Sequence, residues 1–502
     1  MIVAIVSAMN LFAGNKPKAK IITYPAPITE AVLSSSYTVT VNGKKLDIYK
    51  ALSPRFEGGE YYFCYFDFEG EVDVNVKSTK AFTRRISYTA TPEQKAKAAQ
   101  EYLGEIYPHD IKPTKKTANE MAFKANKPFK ALILREERKM PLFIFGNPIE
   151  KDIPNKNDPN VVYFGPGVHV IEEPLVLKDN QTLYLAGGAV LKTTIRAKFA
   201  KNITIRGRGV VSLDNRERWT VGHSVVFYKC ENITVKDVIL KDPVDWVLVF
   251  HNSNKVLVDN VKICAGRMIN DDAIDVCNTS NVVIKDTFCR SEDDSVAIYG
   301  VWRSGVHIGR KVTADPEHKD NNLPVENITI DNCIFWTDCA NIFRMGYMCY
   351  APYVKNIKVK NLKIPFYSSV SKIDDYWVRA IFLMQPSENL TLSNLSFEDV
   401  EIRSDGRDFH VIVAEPKIVS YGAVRLKGAK GENGRVEDVL LKNINVVGKK
   451  GNFLGRLHFK GKGENYKVKN FTLENFNYFG NKITEKSPNV TIGEYTENIL
   501  FK

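Results

Sequence analysis

A short pattern recurs along this chain and limits what it can become. It reads KNITIRG at Lys201, ENITVKD at Glu231, NKVLVDN at Asn254, SNVVIKD at Ser280 and ENITIDN at Glu326. It continues as KNIKVKN at Lys355, ENLTLSN at Glu388, EDVLLKN at Glu437 and KNFTLEN at Lys469. Apolar residues alternate with polar ones, and each unit ends in Asn, Asp or Gly. That is a short strand with one buried face, closed by a turn residue. Successive units lie 23 residues apart (254 − 231) or 26 (280 − 254). The interval of 46 from Ser280 to Glu326 reads as two coils of 23, with GVHIGRKV from Gly305 in the missing middle coil. Leucine-rich repeats have similar length but need a leucine ladder, and WD40 blades need about 40 residues. A parallel β-helix remains, with about three short strands per turn stacked at roughly 4.8 Å.

The helix begins near Asn160, where NVVYFGPGVHVI and LYLAGGAVLKTTI alternate between Gly and Pro turns. A chain of 502 residues exceeds one ordinary core. The preceding segment reads differently. SYTVTVNGKKLDIY, YYFCYFDFEGEVDVNVKS and ALILREERKMPLFIFG are longer strands joined by hairpins, and Asn42-Gly43 is a hairpin turn signal. TPEQKAKAAQEYLGEIY, from Thr91, is the one helical segment, with Glu93 as capping partner. The expected division is residues 1–21 as an export signal or loose tail, 22–155 as an antiparallel β-sandwich, and 156–502 as the β-helix. The apolar run MIVAIVSAMNLFAG has signal-peptide length without a charged leader, and is too short to span a bilayer.

Net charge is +12, with basic residues spread rather than clustered. This is either a solvated lysine-rich surface or an attraction for an acidic partner. No zinc-finger spacing, aromatic RNA-binding signature or basic helix supports nucleic acid. The eight cysteines form no CxxC pair and suit small buried hydrophobes.

Between Asn270 and Gly300 the chain crowds Asp271, Asp272, Asp275, Glu292, Asp293 and Asp294 into two clusters. Asp272 precedes Asp293 by 21 residues (293 − 272) and Asp294 by 22 (294 − 272), close to one coil. Winding therefore brings the clusters onto neighbouring rungs. Adjacent carboxylates repel, so at least one pKa should rise and leave a proton available near neutrality. A proton donor beside an ionised acceptor is what glycosidic-bond hydrolysis requires. The alternatives are acids solvated at turns, or a calcium site, although DDAID lacks the glycine and terminal glutamate of an EF-hand loop. Asp293 and Asp294 can share a cleft only if the strand bends or begins there.

NDDAID followed by EDDSVAIY resembles the paired aspartate motifs of the clan containing glycoside hydrolase family 28, the polygalacturonases, and family 49. The resemblance implies a right-handed parallel β-helix and hydrolysis with inversion. Polygalacturonases carry Gly-His-Gly and Arg-Ile-Lys downstream; here the regions read SGVHIG and FRMGY, with Gly346 in place of the lysine. DDSVAIY and IFRMGYMCYAPYVKNIKVKNLKI are more similar to family 49, the dextranase and isopullulanase family, which also places a β-sandwich before its helix. Carried over by position, the resemblance implies Asp293 as general acid, and Asp272 and Asp294 as the carboxylates that activate water. Inversion leads one to expect acid and base roughly 6.5–9.5 Å apart. Arg344 falls where subsites are lined. Tyr299 and Tyr347 are either sugar-stacking rings or exterior aromatics of the helix. Asn270 either orients Asp272 or occupies a turn. Trp302, His307, Trp246 and Trp377 are further substrate-binding candidates.

The expectation is an exported, secreted or periplasmic glycoside hydrolase needing no metal or cofactor. It would act as a monomer on a polysaccharide or oligosaccharide, an α-glucan being favoured, with no nucleic-acid partner and no membrane insertion. The alternatives are a hydrolase of galactose- or galacturonate-containing chains, a calcium-dependent lyase, and a non-catalytic carbohydrate-binding β-helix.

Overall fold

The computed structural model describes residues 19–30, 36–55, 59–80, 91–94, 104–134, 141–300, 307–308, 311–312, 323–346, 351–367, 369, 371–375, 377–418 and 431–502. The N-terminal apolar run and most of the expected helix lie outside them.

The described strands between Val161 and Phe501 wind as a parallel β-helix. One wall is an 11-stranded parallel sheet, and the other two merge into a 19-stranded sheet. Val256 pairs with Val282, and Val282 pairs directly with Ile328. No middle coil therefore separates Ser280 from Glu326: the long interval is one coil carrying an insertion. Within it, His307–Ile308 pairs antiparallel with Lys311–Val312. The same holds from Glu388 to Glu437, since Ser393 pairs with Glu437. Insertions at coil corners leave the ladder register intact, which spacing alone cannot reveal.

The turn residues of the repeat have a shared conformation. Asn202, Asn232, Asn281, Asn327, Asn356 and Asn394 have φ between 53° and 59°. Asn is the residue type that enters this left-handed region most cheaply after Gly. Stacked on successive coils, their side-chain amides hydrogen-bond in a column. Asn232 donates to Asn202 (2.8 Å), Asn327 to Asn281 (3.0 Å), Asn356 to Asn327 (3.0 Å) and Asn394 to Asn356 (2.7 Å). At Lys255 the column is interrupted, and Asn281 bonds to Asn254 instead (2.7 Å). Inside the tube the apolar positions stack likewise, Phe227 on Phe250 at 5.3 Å and Phe343 on Phe382 at 5.9 Å.

The described strands between residues 20 and 148 form two sheets, with a shared apolar core between them. The turn at Asn42 (φ 46°) and Gly43 (φ 79°) closes Tyr37–Val41 onto Lys44–Leu46, as the Asn-Gly signal requires. Two expectations need correction. Glu60–Glu69 and Val72–Ser78 belong to different sheets, so the chain between them crosses the sandwich and is no hairpin. The six-stranded sheet is mixed, because Leu142–Pro148 pairs parallel with Glu60–Glu69. At the end of the segment read as a helix, Glu105–Tyr107 is a strand, and the capping partner of Thr91 is Gln94, not Glu93.

The run YYFCYFDF is apolar on both faces because both are covered. Tyr62, Cys64, Phe66 and Phe68 fill the sandwich, while Tyr61, Phe63 and Tyr65 pack with Val210, Ile239, Phe288 and Trp336 of the β-helix. A buried ion network pins this junction. Arg208, 2% exposed, donates through Nε to Asp67 (2.7 Å), and its Nη1 lies 2.9 Å from Asp237. The seven described cysteines are buried and free, in keeping with their reading as small hydrophobes. No helix among the described residues is long and apolar enough to cross a membrane.

Replacing Arg208 with Met leaves two buried carboxylates without their cation. The expected loss is about 3–5 kcal/mol of stability, read from the urea midpoint.

Candidate active site

Register decides which side chains meet. Leu248 pairs with Ile274, Ile274 with Val296, and Val296 with Phe343. The residues two places earlier, Trp246, Asp272, Asp294 and Asn341, thus form one column at the entrance to these strands. Backbone bonds hold it: Val247 donates to the Asp272 carbonyl (2.8 Å), Ala273 to that of Asp294 (2.8 Å) and Ser295 to that of Asn341 (2.9 Å). Asp293 joins because Phe288–Ser291 ends before it and Val296–Tyr299 starts after it. Freed from strand alternation, neighbouring residues reach the same side. One oxygen each from Asp272, Asp293 and Asp294 lies within 4.8 Å of the others. This is closer than the separation expected for an inverting acid and base: Asp293 adjoins Asp294 in the chain, and Asp272 is one rung from Asp294.

Asp294 is fully buried and meets three donors. Asn341 donates through its backbone N (2.9 Å) and Nδ2 (2.7 Å) to Oδ1, and Arg344 Nη1 lies 3.3 Å from Oδ2. Asp293 is partly exposed. Burial and then the Asp294 charge push its carboxyl up to about 7, against the pull of Arg344. Asp272, 5% exposed, is driven well above the usual carboxylate range by burial, then by Asp293, Asp275 and Asp294. Burial also raises Asp275, although Tyr299 donates its hydroxyl to Oδ1 (3.1 Å). The oxygen spacing of the three carboxylates would also suit a cation; Arg344 already brings positive charge to that cluster.

The other two acids serve the scaffold. Asp271 accepts from the backbone N of Gly266 (2.6 Å), Glu292 (2.6 Å) and Asp293 (3.1 Å), so it clamps the turn that presents Asp293. Glu292 pairs with Arg290 (2.5 Å) and with Arg55 of the sandwich domain.

Of the predicted substrate contacts, Arg344 stands at the cluster. Asn270 sits in a turn (φ 96°) and donates to Asp245 (2.8 Å), so it does not orient Asp272. Tyr299 is 2% exposed and supports Asp275 rather than offering an open ring face. Trp302 and Tyr347 lie outside the described residues, and His307 is described only in its backbone. Sequence reading missed Asn341, whose partner Asp294 lies 47 residues away, and Asp275 as a fourth acid of the site. The coil register was the signal for Asn341, the next member of the aspartate column.

Residues 204–415 match the model of glycosyl hydrolases family 28. No curated protein matches the sequence. Among solved structures, Dex49A from Penicillium minioluteum superposes with a TM-score of 0.60 at 13% identity, covering 95% of this chain and 96% of its own. The family 28 exopolygalacturonase of Yersinia enterocolitica gives 0.46 at 12% identity, covering 96% of each chain. The hyperthermoactive exopolygalacturonase of Thermotoga maritima gives 0.42 at 16%, covering 68% of this chain and 83% of its own. The chain is a glycoside hydrolase, and the residues that match family 28 lie within the β-helix that carries the carboxylate cluster.

Proposed function

We propose that this hydrolase cleaves α-glycosidic bonds of a polysaccharide by single displacement, an α-glucan such as dextran or pullulan being the favoured substrate. The observation that carries the reading is Asp293, a carboxyl poised at about 7 within 4.8 Å of two further aspartates. Asp293 gives its proton to the glycosidic oxygen as the bond from the anomeric carbon breaks. Water held by Asp272 and Asp294 attacks that carbon and passes its own proton to one of them. One water with hydrogen bonds of about 2.8 Å to each bridges oxygens at this separation. Asp293 then recovers a proton from solvent.

Gly346 supports an uncharged sugar. It stands where the polygalacturonase pattern has a lysine, at φ 89°, and a Cβ there would lie 2.9 Å from Pro386 backbone atoms. No lysine can occupy that place to meet a sugar carboxylate. A polymeric substrate and the apolar N-terminal run support a secreted or periplasmic location. A monomer suffices, since one chain supplies all three carboxylates.

Asp293→Asn should lower the rate roughly 10²–10⁴-fold. In the parent enzyme kcat/KM should fall as pH rises through about 7, because the acid must carry its proton. A panel of dextran, pullulan, galactan and polygalacturonate, followed by proton NMR, tests substrate and stereochemistry together. The α-glucans should be cut, and the first anomer released should be the inverted one. A retained first anomer would replace single with double displacement, and cleavage of polygalacturonate alone would move the substrate to the acidic sugars. EDTA should leave hydrolysis unchanged; loss of activity with ultraviolet-absorbing unsaturated products would indicate a lyase instead.

A further inference from the structure

Beside the column of Asp272, Asp294 and Asn341 runs a second one. Val296 pairs with Phe343, and Phe343 with Phe382. The residues three places earlier, Asp293, Ala340 and Arg379, therefore follow one another on successive coils. Arg379 lies two rung spacings, about 10 Å, from Asp293 along the helix axis. Ala340 stands between them with only a methyl group. The main chain on both sides of Arg379 is tied down: its own N donates to Ser371 Oγ (2.9 Å), and the N of Ala380 donates to Asn341 Oδ1 (2.9 Å). Asn341 also holds Asp294 through Nδ2 (2.7 Å), so one side chain sets the backbone of Arg379 against the carboxylate cluster.

The guanidinium of Arg379 is less occupied than its backbone. Its Nη1 reaches Ser369 Oγ at 3.4 Å, and it has no ion-pair partner among the described residues. The other charges near Asp293 are accounted for. Asp271 accepts backbone N–H groups, Glu292 pairs with Arg290 and Arg55, and Asp338 pairs with Arg290 (3.1 Å). Arg344 is drawn to Asp294 (3.3 Å). Burial drives Asp272 and Asp275 toward their neutral forms, and it raises the Cys339 thiol as well. Asp294 is thus the main negative neighbour of Asp293, and Arg379 the unmatched positive one. Burial and then the Asp294 charge raise the Asp293 carboxyl; Arg344, the Asp294 backbone N–H and Arg379 draw it back to about 7.

We propose that Arg379 is a positioning residue for acid catalysis: its guanidinium acts across Ala340 on Asp293 and stabilises the carboxylate that Asp293 becomes when it gives up its proton. The proposal rests on the hydrolase reading above and adds to it a cation that lies outside both aspartate clusters and outside FRMGY. A nearby cation does little for a neutral carboxyl and favours its anion, so proton transfer to the glycosidic oxygen becomes less uphill. Asp294, the next residue, opposes the same anion by repulsion. Without Arg379 that repulsion prevails and Asp293 holds its proton too tightly.

The test reads the protonation of Asp293 in the full-length protein in two ways. The first is kcat/KM against pH on the glycan that the parent cuts. Arg379→Met should move the alkaline limb up by roughly one pH unit. It should also lower kcat at neutral pH, roughly three- to tenfold. The second needs no substrate. A water-soluble carbodiimide with glycine ethyl ester labels protonated carboxyls, and peptide mass spectrometry across a pH series gives the midpoint for Asp293. That midpoint should lie at about 7 in the parent and move up in Arg379→Met. Arg379→Lys keeps the charge and should return limb and midpoint close to the parent values. A merely structural role would lower the melting temperature of the variants and move neither. If Arg379→Met does not fold, Arg379→Gln stands in for it. An unmoved limb and midpoint in the folded variant, or a shift that Arg379→Lys does not reverse, overturns the proposal. If the parent cuts no glycan, the hydrolase reading fails on that ground, and labelling alone decides the hold of Arg379 on Asp293: a raised midpoint upholds it and an unmoved one overturns it.

Discussion

Parallel backbone pairing between successive coils is the constraint on which the rest depends. Each inner strand both donates to and accepts from the coils on its two sides, so residues far apart in the chain come to lie one rung spacing apart. The asparagine column reinforces this from outside, and the stacked Phe pairs from inside. An insertion between strands does not disturb it, as the direct pairing of Val282 with Ile328 shows. Corners can therefore vary in length while the walls keep register.

The site exploits the same regularity and breaks it once. Asp272 and Asp294 are neighbours because they share a column; Asp293 joins them because the chain between two strands is a turn. Three carboxylates at this separation, two of them buried, oppose folding through repulsion and desolvation. The surroundings offset that cost with donors of three kinds: the Asn341 amide and side chain and the Arg344 guanidinium on Asp294, and the Asp294 backbone N–H on Asp293. The raised proton affinity of Asp293 is what remains of the conflict, and it is the property an acid catalyst needs.

The N-terminal domain takes part in this arrangement. Its six-stranded sheet covers the β-helix with Tyr61, Phe63, Phe143 and Phe145. Tyr61 donates its hydroxyl to the Ala265 carbonyl (2.6 Å), just before the turn that carries Asp271 and Asp272. Arg55 pairs with Glu292, next to Asp293. The sandwich thus buttresses the back of the loops whose front presents the carboxylates.

The alternating repeat, its Asn and Asp turns and the near-coil spacing of Asp272 from Asp293 and Asp294 were all legible in sequence. They are local patterns whose meaning follows from strand geometry. The Asn42-Gly43 turn was legible for the same reason. What the sequence alone determined was the winding, and with it the meeting of three aspartates. Tertiary structure decided everything that depends on register across long insertions or on contact between domains. It set one coil where the spacing suggested two, turned Asn270 toward Asp245, and buried Tyr299 under Asp275. It also brought Asn341 to Asp294. These outcomes rest on pairings between residues tens of positions apart, and a repeat read one strand at a time carries no record of which partner lies across the gap.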